Sequence, residues 1–213
     1  MSGSMGGDAT AQGVEYSGLT LLDIVKHAVK TVISTLNEND RLSIVSYSNS
    51  ATVIFDLMAM NLVGKENAIT LLDQLTPGGM TNLWDGLHTG LQILRNKSIP
   101  SGNSNNGNNS ALLLLTDGEP NIEPPRGHLP MLKRYKDSLE GRFPGVISTF
   151  GFGYSLDSVL LRKIATEGGG MYSFIPDSGF VGTAFVNALA NILSTVTADA
   201  SLLLNFNPVS GAR

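Results

Sequence analysis

Ala111–Asn121 reads ALLLLTDGEPN. The first six residues carry no charge and no break, and a polar turn follows at once. An apolar run of this length, closed by turn residues, suits a strand covered on both faces, as parallel sheets bury theirs between helices. Asp117 then stands just beyond the carboxyl end of that strand. In open α/β sheets the ligand crevice lies at those ends, so the acidic side chain is placed where chemistry is expected.

Outward from this strand, helical and strand patterns alternate. Leu21, Leu22, Val25, Ala28, Val29, Val32, Ile33 and Leu36 recur at three- and four-residue steps, giving a helix from Leu19 to Leu36. Arg41–Ser48 and Thr52–Leu57 alternate and are β-branched, so two strands joined by an Asn49-Ser50 turn are expected. Helices are expected over Gly64–Leu75 and Thr81–Lys97, the latter with a core stripe of Leu83, Leu87, Leu91 and Leu94. Ser98–Ser110 is a low-complexity Asn/Ser/Gly loop. Downstream, the pattern predicts a helix over Leu129–Arg142, a strand over Val146–Gly151, and a helix over Ser155–Glu167 closed by Gly168–Gly170. A strand over Met171–Ile175 and a helix over Gly179–Val196 follow. This order defines an α/β fold: a doubly wound, mostly parallel sheet with helices on both faces and one antiparallel edge strand.

The 213 residues suit one α/β domain, here 1–197, with Ala198–Arg213 a tail or the opening of a further module. Fourteen Lys+Arg against eighteen Asp+Glu give a net charge of −4, which excludes a polybasic nucleic-acid or anionic-lipid binder. With 42% hydrophobic residues the chain can bury a core, and with no cysteine it has neither disulfides nor thiolate metal sites. No apolar run approaches the ~18 residues of a membrane span, and the N-terminus lacks the pattern of a signal peptide. Nothing directs export, which favours an intracellular setting.

Three segments fall at strand ends or their loops: Ser2-Gly3-Ser4, Gly78-Gly79-Met80-Thr81-Asn82, and Thr116-Asp117-Gly118. Each sets a short oxygen side chain beside glycine, so tight turns let the oxygens converge. Hydroxyls with a carboxylate, and no His or Cys, suit a hard cation such as Mg²⁺, Mn²⁺ or Ca²⁺. Thr81 could equally serve as a helix N-cap, and Asp117 as a turn residue. Asp73 and Asp85 read as solvated helix charges. His27, His88 and His128 lie far apart without ligand spacing. No phosphate-binding loop, dinucleotide fingerprint or nucleophile elbow is present.

Taken together, these residues resemble the von Willebrand factor type A domain, also called the integrin inserted domain. Its metal-ion-dependent adhesion site (MIDAS) combines Asp-x-Ser-x-Ser after the first strand, a Thr in a Gly-rich loop, and an Asp in a T-D-G loop. Ser2 and Ser4 match the serines, Thr81 in GGMTNL the threonine, and Asp117 in LLLLTDGEPN the second aspartate. GLTLLDIVKHAVKTVI matches the first helix and DRLSIVSYS the second strand. The resemblance implies a non-enzymatic module in which a bound divalent cation reaches a carboxylate of a protein partner.

One departure is informative. In this register the motif Asp would precede Met1, so the first, central strand and its Asp are expected to be missing. Arg41–Ser48 and Ala111–Thr116 would flank that missing strand and show unpaired edges. Weak cation binding is therefore expected. The alternatives are an interaction domain with a defective metal site, or an α/β hydrolase-type enzyme with a spatially assembled triad.

Overall fold

The computed structural model describes residues 20–97, 110–176 and 180–194. Ser2, Ser4 and the tail 198–213 lie outside the described residues. The elements are α1 (Leu21–Thr35), β1 (Arg41–Tyr47), β2 (Ala51–Ala59), α2 (Leu62–Asp73), α3 (Leu83–Lys97) and β3 (Ala111–Thr116). They continue with α4 (His128–Asp137), β4 (Val146–Phe152), α5 (Ser158–Glu167), β5 (Gly169–Ile175) and α6 (Val181–Ser194).

Local chemistry sets the helix starts later or earlier than apolar periodicity suggests. Thr20 and Asp23 form a reciprocal capping box that opens α1, stabilising the helix by about 1 kcal/mol. Asn61 caps α2 through the Gly64 amide, and Asp157 caps α5 through the Leu160 amide. Helix α4 is the main correction in length. It begins at His128 and stops at Asp137, well short of Arg142. Glu140 and Gly141 both adopt positive φ, 57° and 79°, a left-handed reversal that a helix cannot continue through.

The Gly168–Gly170 run also does more than stop a helix. Gly168 is the C-cap of α5, but Gly169 and Gly170 already belong to β5. A Cβ on Gly170 would stand 2.3 Å from the Ile147 carbonyl oxygen, so only glycine lets β5 approach β4 here.

Strands β3, β4 and β5 form a parallel sheet in that order, with Thr116 level with Gly151 and Phe152 level with Ile175. β1 and β2 form an antiparallel hairpin, Arg41 opposite Ala59 and Tyr47 opposite Ala51. Among the described residues no ladder joins β1 to β3, so the strands fall into two sheets.

Helices hold these two sheets in line. On one face, α1 buries Ile24, Ala28 and Val32 against Phe150, Phe152 and α6, with Leu113 and Leu115 of β3 packed alongside. On its neighbouring flank, Ile33 of α1 packs with Phe55 of β2, Ala68 and Leu72 of α2, and Leu42 and Ile44 of β1. On the other face, Leu83, Leu87 and Leu91 of α3 join Leu114, Leu132, Ile147, Leu161 and Ile164. Glycines bring α3 close to both sheets. Gly86 lies on the Tyr47 ring of β1, and Gly90 on Leu112 of β3. α1 and α3 thus each straddle the line between β1 and β3, from opposite sides.

Candidate functional site

The parallel strands all end at one edge, and there the chain brings two of the three sequence segments together. β3 ends at the buried Thr116, whose hydroxyl donates to the Gly118 carbonyl at 3.1 Å and fixes the turn. Asp117, in the middle of that turn, is exposed. The loop then returns to Thr81. The Thr81 amide donates to Asn121 Oδ1 at 2.7 Å, and the Asn121 amide donates to the Thr81 carbonyl at 3.3 Å. Thr81 Oγ1 stands 3.7 Å from where a Cβ of Gly118 would be. The loop carrying Asp117 and the loop carrying Thr81 are therefore in contact.

Thr81 is not the helix cap. Asn82 takes that role, its Oδ1 accepting from the Asp85 amide at 3.2 Å, and the helix opens at Leu83. Capping by Asn82 leaves the half-buried Thr81 hydroxyl with no part in the helix start.

A second set of contacts fixes the Thr81 loop from the hairpin side. Asn82 donates its amide to the Ser48 carbonyl at 2.8 Å and its side chain to the Asn49 carbonyl at 3.0 Å. Asn49 Oδ1 accepts from the Met80 amide at 3.0 Å. Asp85 is no solvated helix charge either: its carboxylate accepts from the Ala51 amide at 2.6 Å. Asp73 is an exposed helix charge as expected, and it pairs with Lys30 at 2.7 Å. Asn49, Asn82, Asp85 and Asn121 escaped sequence reasoning because short polar residues in turns look alike until their partners are known.

Tyr47 completes the surroundings. Its phenol donates to the Leu115 carbonyl at 2.6 Å, two residues before Asp117. Burial pushes its pKa far up, Thr116 opposes this through a hydrogen bond, and the Asp117 charge adds to the rise. The hydroxyl therefore stays protonated and acts as a donor. Of the histidines, His27 is exposed, His88 stacks on Trp84, and His128 is buried at the start of α4.

Among the described residues no group of three or more His, Cys, Asp or Glu is arranged to hold a metal. The site offers instead one hydroxyl and one exposed carboxylate on loops held by backbone hydrogen bonds. That donor chemistry fits a hard cation, and its low charge leaves such a cation attractive to an incoming anion.

The comparisons agree with this architecture. The sequence profile of the von Willebrand factor type A domain matches residues 2–187. The chain belongs to that family. It is 28% identical over 191 residues to the uncharacterized protein YfbK of Escherichia coli K12, covering 88% of this chain and 31% of that protein. It is 30% identical over 146 residues to inter-alpha-trypsin inhibitor heavy chain H1 of Bos taurus, covering 68% and 16%. The chain thus spans a third or less of these two relatives.

Among solved structures, a von Willebrand factor type A protein from Catenulispora acidiphila superposes with a TM-score of 0.66 at 20% identity, covering 78% of this chain and 37% of that one. Proximal thread matrix protein 1 of the mussel byssus, with a zinc-occupied MIDAS motif, superposes with a TM-score of 0.57 at 20% identity, covering 79% and 42%. Both likenesses establish the fold. Among the described residues, no helix is long and apolar enough to cross a membrane.

Proposed function

We propose that the domain is a metal-dependent protein-binding module. Thr81 and Asp117, with Ser2 and Ser4, are its cation ligands, and Mg²⁺, Mn²⁺ or Ca²⁺ is the cation. The carrying observation is the reciprocal pairing of Thr81 with Asn121, which holds the Thr81 loop against the Thr116-Asp117-Gly118 turn at the sheet's carboxyl edge. Bound there, the cation would supply a Lewis-acidic position for a carboxylate of a protein partner. Thr81 contributes a neutral oxygen and Asp117 a single negative charge, so the site attracts rather than repels that carboxylate. Affinity for the cation is weak, because oxygen sites gain affinity with ligand charge.

A second reading is an interaction domain that works without a cation. The single carboxylate at the described site favours it.

Calorimetric titration with Mg²⁺ and Mn²⁺ separates the two. The first reading expects measurable binding that falls at least tenfold in Thr81→Ala and in Asp117→Ala while both variants keep the wild-type melting curve. It further expects a Glu-containing peptide to bind only with cation present. Cation affinity unchanged in both variants would overturn the ligand assignment, and peptide binding in excess chelator would favour the second reading.

A further inference from the structure

The charge of this chain is segregated. Residues 126–167 hold seven Lys/Arg against four Asp/Glu, whereas the rest of the chain holds seven against fourteen. A local excess of +3 thus sits in a molecule whose remainder carries −7. That stretch contains α4 and α5, and between them runs a groove of about 490 Å³. Leu129 and Pro130 supply its apolar lining, and Lys133, Arg162 and Lys163 stand exposed around it.

The one acid lining the groove is already engaged. Glu167 pairs with Lys136 at 2.9 Å, and Lys136 also lies over the Phe143 ring. That hydrogen bond comes first in holding the Glu167 carboxyl below its ordinary range, with the charges of Lys136 and Lys133 adding to it. Lys133, Arg162 and Lys163 have no ion pair among the described residues. Three exposed cations without an ion pair among the described residues thus surround an apolar strip. Lys30, by contrast, pairs with Asp73 at 2.7 Å.

We propose that the α4/α5 groove docks an acidic segment of a partner protein, one that places an aliphatic side chain between its carboxylates. Its carboxylates pair with Lys133, Arg162 and Lys163, and its aliphatic side chain covers Leu129 and Pro130. Polyphosphate and anionic lipid are poorer complements. Both present broad negative surfaces, which the −7 of the rest of the chain repels. An acidic peptide lies within the groove, where three exposed cations face it and the one acid, Glu167, is already paired with Lys136. This site takes several carboxylates without a metal, which separates it from the cation crevice.

The test is fluorescence anisotropy on the full chain in excess EDTA, with a labelled twelve-residue peptide alternating Glu and Leu. Its Gln/Leu analogue, a twelve-nucleotide oligo-dT and phosphatidylserine vesicles serve as competing probes. The proposal expects saturable binding of the Glu/Leu peptide that is at least tenfold tighter than that of the Gln/Leu analogue and weakens with salt. The combined variant K133E/R162E/K163E, with an unchanged melting curve, should lose at least tenfold. R41E on β1 should retain wild-type affinity, and the conservative set K133R/R162K/K163R should retain binding within a few-fold. Failure of the peptide to bind overturns the proposal. So does equal binding of the two peptides, preference for oligo-dT or vesicles, or indifference to the triple reversal. If the peptide binds only when EDTA is replaced by Mg²⁺, it belongs to the cation crevice and the groove is not its site.

Discussion

Tyr47 and Leu115 are joined across two sheets that share no ladder among the described residues: the Tyr47 phenol, at the end of β1, donates at 2.6 Å to a carbonyl near the end of β3. A side chain does here what a neighbouring strand's amide does elsewhere in the sheet. Tyr47→Phe keeps the ring and removes only the donor. The expected loss is about 1–2 kcal/mol, the cost of a partly buried carbonyl left without its partner. Urea unfolding should show a lower midpoint at unchanged slope. An unmoved midpoint would mean that water replaces the phenol at no cost.

The two glycines of α3 separate backbone propensity from packing. Alanine within a helix gains about 1 kcal/mol over glycine. A Cβ at Gly86 would come within 2.6 Å of the Tyr47 ring, a rigid neighbour, whereas at Gly90 it meets the flexible tip of Leu112 at 2.7 Å. Overpacking against a fixed ring costs roughly 1–3 kcal/mol. Gly86→Ala should therefore destabilise, and Gly90→Ala should be near neutral or mildly stabilising. Thermal melts of the pair in one buffer decide this, and a reversed order contradicts the packing argument.

Among the described residues, β3 pairs with β4 on one side only. In a parallel strand, amides point alternately to the two neighbours, so hydrogen exchange in Ala111–Thr116 should alternate between slow and fast residues. The same open edge should favour self-association, seen as concentration-dependent sedimentation. Uniform strong protection across Ala111–Thr116 would contradict this.

Stability should also fall in mild acid through His128. Burial lowers its pKa, with Glu123 and Asp157 opposing the shift, and its Nε2 has no hydrogen-bond partner among the described residues. The unfolded chain then binds a proton more readily, near the ordinary ~6.5, than the folded one does. Stability from this group is complete above that value and declines as pH drops below it, until the lower folded value is passed. His128→Leu should flatten the stability profile below about pH 6.5. Glu167, lowered first by its bond to Lys136, begins to lose its contribution only in the more acidic carboxylate range. A profile unchanged by the substitution would remove His128 from the account.

Much of this architecture was legible in the chain. Ala111–Thr116 runs over the residues its composition indicated, because six apolar residues between turn signals leave one way to bury them. The hairpin was equally readable, and so was the leucine stripe of α3 at Leu83, Leu87 and Leu91, although Leu94 is only half-buried. Ends were less so. Thr81 looks like a cap by type, yet the neighbouring Asn82 does that work, and no local rule ranks two adjacent capping residues. Arg142 looks helical by pattern, but the backbone reverses at Glu140 and Gly141. At the site, the pairing of Thr81 with Asn121 spans forty residues, and nothing in DGEPN announces it. Long-range polar pairing leaves no periodicity to read.

The Asn49-Ser50 turn resembles the sort of exposed hairpin tip where evolution lengthens a chain freely. Here that freedom is withdrawn. Ser48 and Asn49 hold the loop that presents Thr81, and Ala51 is held by Asp85. An insertion at the tip would be read at the sheet's carboxyl edge as a displaced Thr81 hydroxyl, although it adds nothing to the core. Diversity in this lineage should accordingly collect elsewhere, as in the Asn-rich stretch before β3, while the hairpin tip keeps its length. A connection of three residues, Ser48 to Ser50, is then the one with least licence to change.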